Sequence, residues 1–294
     1  MTETRKVIVV GAGIMGAGIA QVCAQAGLQV FFNDIDEQAL GKALERIVWS
    51  LGKLAAAGRL SEEKETILSR IRLFPDLSVA VEADIAIEAV YERLDLKQNI
   101  FRVIDQSCGP RTILASNTSA IPITELASVT RRPDKVVGLH FFNPVAMIQV
   151  VEVIKGIETS ENTMQASIDF VTTLGKEAIR VESDIPGFLL NRINLVSYVE
   201  AIRLVEQGLA KIPEIDKGVR LAFGRKQGPF ETGDMVGLDV SYGALMAIYE
   251  ESKDPRFYPP QLLRRKVKAG YLGRKTGKGW YDYDAGGNRK LDLA

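Results

Sequence analysis

The feature that most constrains the fold is a set of three glycines directly after an apolar run. The segment KVIVV is followed by GAGIMG, with glycines at Gly11, Gly13 and Gly16, and then by the helical pattern GIAQVCAQAG. In this setting each glycine has a use: a tight turn, close approach of the backbone to a pyrophosphate, and close packing of helix on strand. The phosphates would lie at the positive end of the helix. The segment predicts a strand, turn and helix that bind a dinucleotide.

An acidic residue, Asp34, ends the second apolar run, about 20 residues beyond the glycines. A carboxylate there can accept hydrogen bonds from ribose hydroxyls and would repel the 2′-phosphate of NADP. No arginine adjoins it in FFNDIDE, so NAD is favoured over NADP. FAD proteins share the glycine pattern, which alone does not exclude them. The plain alternative for Asp34 is a solvated loop acid or the N-cap of the next helix.

Short apolar runs alternate with helical patterns through the first half of the chain. This order is typical of successive βαβ units and a mostly parallel sheet. The long helical pattern at 37–57, followed by SEEKETILSRI, predicts an arm in the form of a helical hairpin. The predicted strands are 7–12, 30–34, 84–89, 112–116, 135–140, 147–155 and 177–182, and a helix is predicted over ENTMQASIDFVTTLG.

The pattern changes near Asp184. From 187 to 269 the sequence reads as helix or turn, with almost no strand alternation. At 294 residues the chain also exceeds the usual size of a single domain. We therefore predict an α/β Rossmann domain over 1–184 and an all-α C-terminal domain over 185–294. The junction matters because small-molecule sites favour domain interfaces.

Composition and charge argue against several classes of protein. The 37 basic side chains balance 37 acidic ones, so no overall field favours nucleic acid or an anionic membrane. No apolar run approaches the roughly 20 residues that span a bilayer, and the amino-terminal segment lacks the pattern of a signal peptide. Cys23 and Cys108 lie outside any CxxC pair and read as apolar core residues. We expect a cytoplasmic enzyme without a metal site.

One histidine, His140, is available as a general base. Transfer of a hydride from a secondary alcohol needs a base whose pKa lies near neutrality, and histidine is the natural choice. His140 ends a predicted strand, and Glu152 lies twelve residues later in the next one. A hairpin connection would bring the carboxylate beside the imidazole, where it would fix the tautomer and stabilise the imidazolium. Without further context, however, a lone histidine is more often structural than catalytic. Glu152 is then equally consistent with an acid on the protein surface.

Six motifs in order resemble the short-chain L-3-hydroxyacyl-CoA dehydrogenase family, especially its bacterial 3-hydroxybutyryl-CoA members. The resemblance spans nearly the whole chain and implies a stand-alone, monofunctional enzyme. It lies in GAGIMGAGIAQ, ASNTSAIPIT (115–124), GLHFFNPVAMIQVVEVI, PGFLLNRI (186–193), GPFETGDMVGLD (228–239) and LGRKTGKGWYDYD.

The resemblance also implies roles for individual residues. His140 would be the base in oxidation and the acid in reduction, with Glu152 orienting it. Ser119 and Asn191 would hydrogen-bond the reacting oxygen and the thioester region, which stabilises developing alkoxide charge. The residues implied around NAD are Gly11, Gly13, Ile14, Met15, Gly16, Asp34, Glu92, Lys97, Ser119, Asn143 and Lys275, and those implied around the acyl-CoA are Ser50, Lys53, Arg59, Ser119, Asn143 and Asn191.

Other functions and the oligomeric state remain open from the residues alone. A dehydrogenase of the same fold could act on a free 3-hydroxy acid of the sugar-acid or carnitine type. A non-enzymatic NAD-binding protein is a further alternative, against which the set of Ser119, His140, Glu152 and Asn191 argues. The family pairs through its helical domain, so a homodimer is expected. The segments NLVSYVEAIRLV and YGALMAIY fit a dimer surface but equally an intradomain core.

Overall fold

The structure is a computed structural model that describes residues 5–77, 80 and 82–290. The chain divides into two compact units, of which the first ends at Ile185 and the second begins at Pro186. The first unit contains a sheet with flanking helices, and the second is built from helices. The predicted fold class is therefore confirmed.

An eight-stranded sheet forms the centre of the first unit. Its strands are β1 (Lys6–Val10), β2 (Gln29–Asn33), β3 (Ile71–Phe74), β4 (Ile85–Glu88), β5 (Ile113–Ser116), β6 (Val136–Phe141), β7 (Val150–Ile154) and β8 (Glu177–Val181). The order across the sheet is β3-β2-β1-β4-β5-β6-β7-β8, and every neighbouring pair is parallel except β6 with β7. The central strands are covered on both faces, which explains their continuous apolar runs.

Six helices accompany the sheet: α1 (Ile14–Gln25), α2 (Glu37–Ala56), α3 (Lys64–Ser69), α4 (Leu94–Ser107), α5 (Ile123–Ala127) and α6 (Glu161–Thr173). Side-chain caps set two of the starts. Asp36 accepts hydrogen bonds from the Gln38 and Ala39 N–H groups at α2, and Ser160 accepts one from Thr163 N at α6. Helices α2 and α3 pack on each other and form the helical hairpin.

Strand β3 differs from the sequence prediction, which continued the helical pattern of SEEKETILSRI through Ile71. Helix α3 ends at Ser69, and Ile71–Phe74 pairs with β2 at the edge of the sheet. None of its four residues is fully buried. The rest of the protein covers little of this edge strand. It therefore lacks the continuous run of apolar residues that marks the inner strands in the sequence. Pairing with β2, rather than its own pattern, makes this segment a strand.

The strand order places the functional candidates of the first unit at one edge. Strands β2 and β3 lie on one side of β1, and β4, β5 and β6 lie on the other, all parallel. Their carboxyl ends therefore share an edge, and the order reverses between β1 and β4. Ligands of open α/β sheets bind at such a switch point. Gly11, Asp34, Glu88, Ser116 and His140 all lie at this edge.

The second unit has its own core. Its helices are α7 (Leu190–Glu206), α8 (Ile212–Phe223), α9 (Pro229–Val236), α10 (Leu238–Ser252) and α11 (Gln261–Lys268). Tyr198, Phe230 and Trp280 meet edge to face at its centre. The buried Asp234 accepts hydrogen bonds from the backbone of Trp280 and Tyr281, which anchors the segment after α11. None of the helices in the described ranges combines the length and apolar character that a bilayer span requires.

Candidate active site

In the glycine loop, Gly11 and Gly16 are required by close contacts within the protein itself. Gly11 has φ +109°, and a Cβ there would lie 2.7 Å from the Ala89 carbonyl oxygen. A Cβ on Gly16 would lie only 1.8 Å from the Gly11 carbonyl oxygen, so α1 packs directly on the turn. Both positions exclude any larger side chain for steric reasons.

Gly13 is different, because no protein atom would lie within 4 Å of a Cβ there. It is the N-cap of α1, with φ −71°, a conformation open to any residue. The fold does not itself require glycine at this position, but a ligand approaching the helix N-terminus would. The open space beside Gly13 therefore fits a pyrophosphate.

Asp34 lies against the same loop. Its Oδ2 accepts a hydrogen bond from Ala12 N at 2.7 Å, and its Oδ1 accepts one from Asp36 N at 3.0 Å. Asp36, rather than Asp34, caps α2. The carboxylate of Asp34 thus ties the end of β2 to the glycine loop, which is the position where it could meet ribose hydroxyls.

His140 and Glu152 form a buried pair. They are directly opposite each other in the antiparallel pairing of β6 and β7. Side chains of opposite residues share a face of the sheet, so their spacing along the hairpin brings them together. His140 Nδ1 lies 2.6 Å from Glu152 Oε2, and both side chains are buried. Such a pair can take up a proton on the imidazole while the carboxylate stabilises the resulting charge.

Glu92 holds Ser119 at the carboxyl ends of β4 and β5. Its Oε1 accepts hydrogen bonds from Ser119 N at 2.8 Å and from Ser119 Oγ at 3.2 Å. Its Oε2 lies 3.2 Å from Lys97 Nζ. Lys97 is only 1% exposed, although its helical segment LDLKQNIF alone reads as solvent-facing. The structure therefore brings three of the predicted site residues together.

Several polar residues at this edge were missed by the sequence reasoning. Glu88 bonds Lys97 at 2.7 Å, and Asn117 Oδ1 accepts a hydrogen bond from Phe141 N at 2.9 Å, beside His140. Lys176 Nζ donates to two carbonyls of the segment 142–149, which contains Asn143. Glu88 carried a signal, because an acid interrupts the apolar run of DIAIEA. Asn117 and Lys176 carried none, since their partners are backbone atoms distant in sequence.

The remaining predicted residues lie elsewhere in the two units. Asn143 is exposed in the connection between β6 and β7. Asn191 lies in the first turn of α7, and Lys275 pairs with Asp239, both within the second unit. Their placement beside residues of the first unit stays a prediction. On the hairpin, Ser50 is half-buried, and Lys53 and Arg59 are exposed.

Comparison with known proteins agrees with this geometry. The sequence model of the 3-hydroxyacyl-CoA dehydrogenase NAD-binding domain matches residues 6–185, and that of the C-terminal domain matches 187–283. The chain belongs to the 3-hydroxyacyl-CoA dehydrogenase family. The family resemblance expected from the six motifs is thus confirmed, and the NAD-binding match contains the glycine loop, Asp34 and His140. The cofactor it indicates is NAD, which the open space at Gly13 fits.

Relatives of known name cover nearly the full length of this family member. A probable 3-hydroxybutyryl-CoA dehydrogenase of Bacillus subtilis is 41% identical over 96% of the chain and 98% of its own length. The crystal structure of (S)-3-hydroxybutyryl-CoA dehydrogenase PaaH1 from Ralstonia eutropha is 43% identical, with a TM-score of 0.92, and the match covers 96% of this chain and all of that one. The Mycobacterium tuberculosis FadB2 structure matches at 39% identity over 96% and 100% of the two chains, also with a TM-score of 0.92.

Proposed function

We propose that this chain interconverts (S)-3-hydroxyacyl-CoA and 3-oxoacyl-CoA with NAD, and that its substrates are short, as in 3-hydroxybutyryl-CoA and acetoacetyl-CoA. The buried His140–Glu152 pair at the cofactor-binding edge of the sheet carries the proposal. The names of near-full-length relatives support the acyl chain length.

In oxidation, His140 takes the proton of the substrate hydroxyl, and in reduction it returns one to the carbonyl oxygen. Its Nδ1 is bonded to Glu152, so proton exchange with the substrate falls to Nε2. Glu152 fixes the ring orientation and stabilises the imidazolium. NAD, when bound, supplies the acceptor for the hydride that leaves the hydroxyl-bearing carbon.

The other predicted residues divide between substrate and cofactor. Ser119 and Asn191 hydrogen-bond the reacting oxygen and the thioester region, where they stabilise developing negative charge. On the cofactor side, Asp34 meets the adenosine ribose beside the glycine loop. Glu92, Asn143 and Lys275 lie around the nicotinamide end, where Lys97 supports Glu92. Lys53 and Arg59 on the hairpin pair with phosphates of CoA, beside Ser50. In this assignment residues 1–184 bind NAD and residues 185–294 complete the substrate site.

The central test is turnover by the purified protein and by a His140→Gln variant. The wild type should consume NADH in the presence of acetoacetyl-CoA. The variant should lose roughly 10²- to 10⁴-fold in kcat, the usual contribution of a general acid or base. Its dissociation constant for NADH, measured by fluorescence titration, should be unchanged, because the glycine loop is intact. Full turnover by the variant would exclude His140 as the acid and base.

A second candidate is reduction of a free 3-oxo acid or other dicarbonyl compound. The crystal structure of a diketoreductase that acts on dicarbonyl compounds is 32% identical to this chain, with a TM-score of 0.83, over 96% of this chain and all of that one. Acetoacetate compared with acetoacetyl-CoA separates the two functions. Preference for the free acid, measured as kcat/KM, would favour this second candidate over the thioester.

We also infer that the protein is a cytoplasmic homodimer. The second unit carries large apolar side chains with high exposure, among them Leu221 and Phe223 near the end of α8 and Met235 at the end of α9. We infer that a second copy of the chain covers these side chains.

A further inference from the structure

Glu88 is a buried carboxylate to which the family resemblance gives no role. It is the last residue of β4, and its side chain is fully buried. Three donors meet it: Ser116 Oγ at 2.6 Å, Lys97 Nζ at 2.7 Å and Val90 N at 2.6 Å. A charge this deep is tolerated only when it is paired and hydrogen-bonded. Glu88 therefore holds the side chains of Ser116 and Lys97 in place, and with them the groups that those side chains contact.

Its main partner, Lys97, has no donor left for a ligand. An ammonium group has three N–H donors. Around Lys97 Nζ lie three acceptors: Glu88 Oε1 at 2.7 Å, Glu92 Oε2 at 3.2 Å and the Val90 carbonyl oxygen at 3.3 Å. Lys97 thus acts within the protein, as the cation between two carboxylates.

The second carboxylate, Glu92, links Lys97 to Ser119 by contacting both. Burial acts to raise the pKa of Glu92, but the Lys97 charge and the hydrogen bonds from Thr118 and Ser119 more than offset it, so the pKa is lowered. The ionised Oε1 gathers four donors: Thr118 Oγ1 at 2.6 Å, Ser119 N at 2.8 Å, Ala120 N at 3.0 Å and Ser119 Oγ at 3.2 Å. The Ser119 hydroxyl has the longest of these bonds. It can turn to a substrate oxygen while the bonds from Ser119 N and Ala120 N hold the backbone.

We propose that Glu88 is a positioning residue for the reaction: it holds Lys97 in place, and Lys97 keeps Glu92 ionised and directed at Ser119. The proposal rests on the proposed function, because the position of Ser119 matters only if it contacts substrate. Loss of the Glu88 charge frees Lys97 to move towards Glu92, which shifts the acceptor that holds Ser119. Small misplacement of a group that acts in the transition state lowers kcat strongly.

A double-mutant cycle between Glu88→Gln and Ser119→Ala tests this. Glutamine keeps the size of the side chain and an acceptor for Lys97 but removes the charge. We expect kcat with acetoacetyl-CoA to fall about tenfold or more in Glu88→Gln and about 10²-fold in Ser119→Ala. The double variant should match Ser119→Ala to within about twofold, because Glu88 acts through Ser119. The NADH dissociation constant should change far less than kcat in all three proteins, because the glycine loop and Asp34 are intact.

The matched control is Thr112→Val. Thr112 is a buried hydroxyl that precedes β5, at the opposite end of the strand from Ser116, and it donates to the Ala83 carbonyl oxygen at 2.6 Å. Its loss should lower thermal stability and leave kcat within about twofold of the wild type, since it lies away from the ligand-binding edge. If Glu88→Gln does not fold, Ser116→Ala takes its place in the cycle, because it removes one donor to Glu88 without changing the charge.

Three results would overturn this proposal without overturning the proposed function. One is a folded Glu88→Gln protein with wild-type kcat. Another is a double variant in which the fold-losses in kcat of the two single variants multiply, because Glu88 would then act independently of Ser119. The third is a rise in the NADH dissociation constant that accounts for the whole loss of activity. A wild type that is inactive on acetoacetyl-CoA but reduces acetoacetate overturns only the thioester assignment, and the cycle is then run on acetoacetate. Inactivity on both would overturn the function and this inference together.

Discussion

Among the single residues of the site, charges compensate one another, and all of them except that of Glu92 are buried. Glu152 is paired with His140, and Lys97 lies between Glu88 and Glu92. Removing one partner of a buried pair leaves an uncompensated charge, which costs more than the pair itself contributes. Single substitutions here therefore change both stability and chemistry, and matched controls are needed to separate the two.

The lowered pKa of Glu92 gives a pH dependence with a definite sign. A carboxylate whose pKa is lower in the folded state stabilises the protein fully above its unfolded pKa of about 4.3, and that stability is lost as pH falls through the folded pKa. Glu92→Gln should lower Tm by a few degrees at neutral pH. The difference from the wild type should shrink as pH falls below about 4. Thermal unfolding across this pH range measures it.

Glu182→Gln is the control for this series. The pKa of Glu182 is also lowered, by the hydrogen bond from Arg180, but its side chain is 67% exposed, against 39% for Glu92, and solvent screens its pair more strongly. Its substitution should change Tm very little at any pH. A Glu92→Gln protein that tracked the Glu182→Gln protein at every pH would contradict the stabilising role of the Glu92 carboxylate.

At the scale of elements, the hairpin of β6 and β7 could be foreseen and the details of the carboxyl edge could not. Antiparallel pairing places residues at a fixed sum of positions opposite each other, so a hairpin was expected to bring Glu152 beside His140, although the sequence left the register open. Strand β3 and the burial of Lys97 depend on neighbours remote in sequence. No local pattern encodes them.

In the glycine loop, Gly11 and Gly16 are needed for folding, whereas Gly13 is needed for ligand binding. Gly16→Ala should lower Tm sharply or prevent folding, because its Cβ would overlap the Gly11 carbonyl oxygen. Gly13→Ala should fold with Tm near the wild-type value, since its Cβ meets no protein atom, yet raise the NADH dissociation constant about tenfold or more by blocking the pyrophosphate. Thermal unfolding and fluorescence titration give both values. Normal NADH binding by Gly13→Ala would contradict a pyrophosphate at this position.

At the scale of the whole molecule, two units with separate cores share one chain. The second unit buries its aromatic centre around Trp280 yet leaves Leu221 and Phe223 at 77% and 73% exposure. Dimerisation would bury apolar surface that the isolated chain leaves in water.

The dimer is tested by Phe223→Glu. If this side chain lies in the interface, the charge should shift the molar mass in sedimentation equilibrium from dimer to monomer and lower Tm. Ile157→Glu is the matched control, because Ile157 is 80% exposed in the first unit, between β7 and α6. It should leave the mass unchanged. A wild-type protein that sediments as a monomer would refute the homodimer.

Apart from β3, the order of elements could be read from the sequence, as could the glycine loop and a hairpin that would join His140 to Glu152. These follow from local rules: the period of apolar residues, the conformations open to glycine, and the alternation of side chains along a strand. Only the tertiary fold brings Glu88, Lys97 and Glu92 into one charged cluster beside Ser119, in which Glu88 and Lys97 are buried and Glu92 is 39% exposed. Burial and charge pairing depend on which strands become neighbours in the sheet. Those strands are far apart in the sequence, so no local segment predicts the pairing.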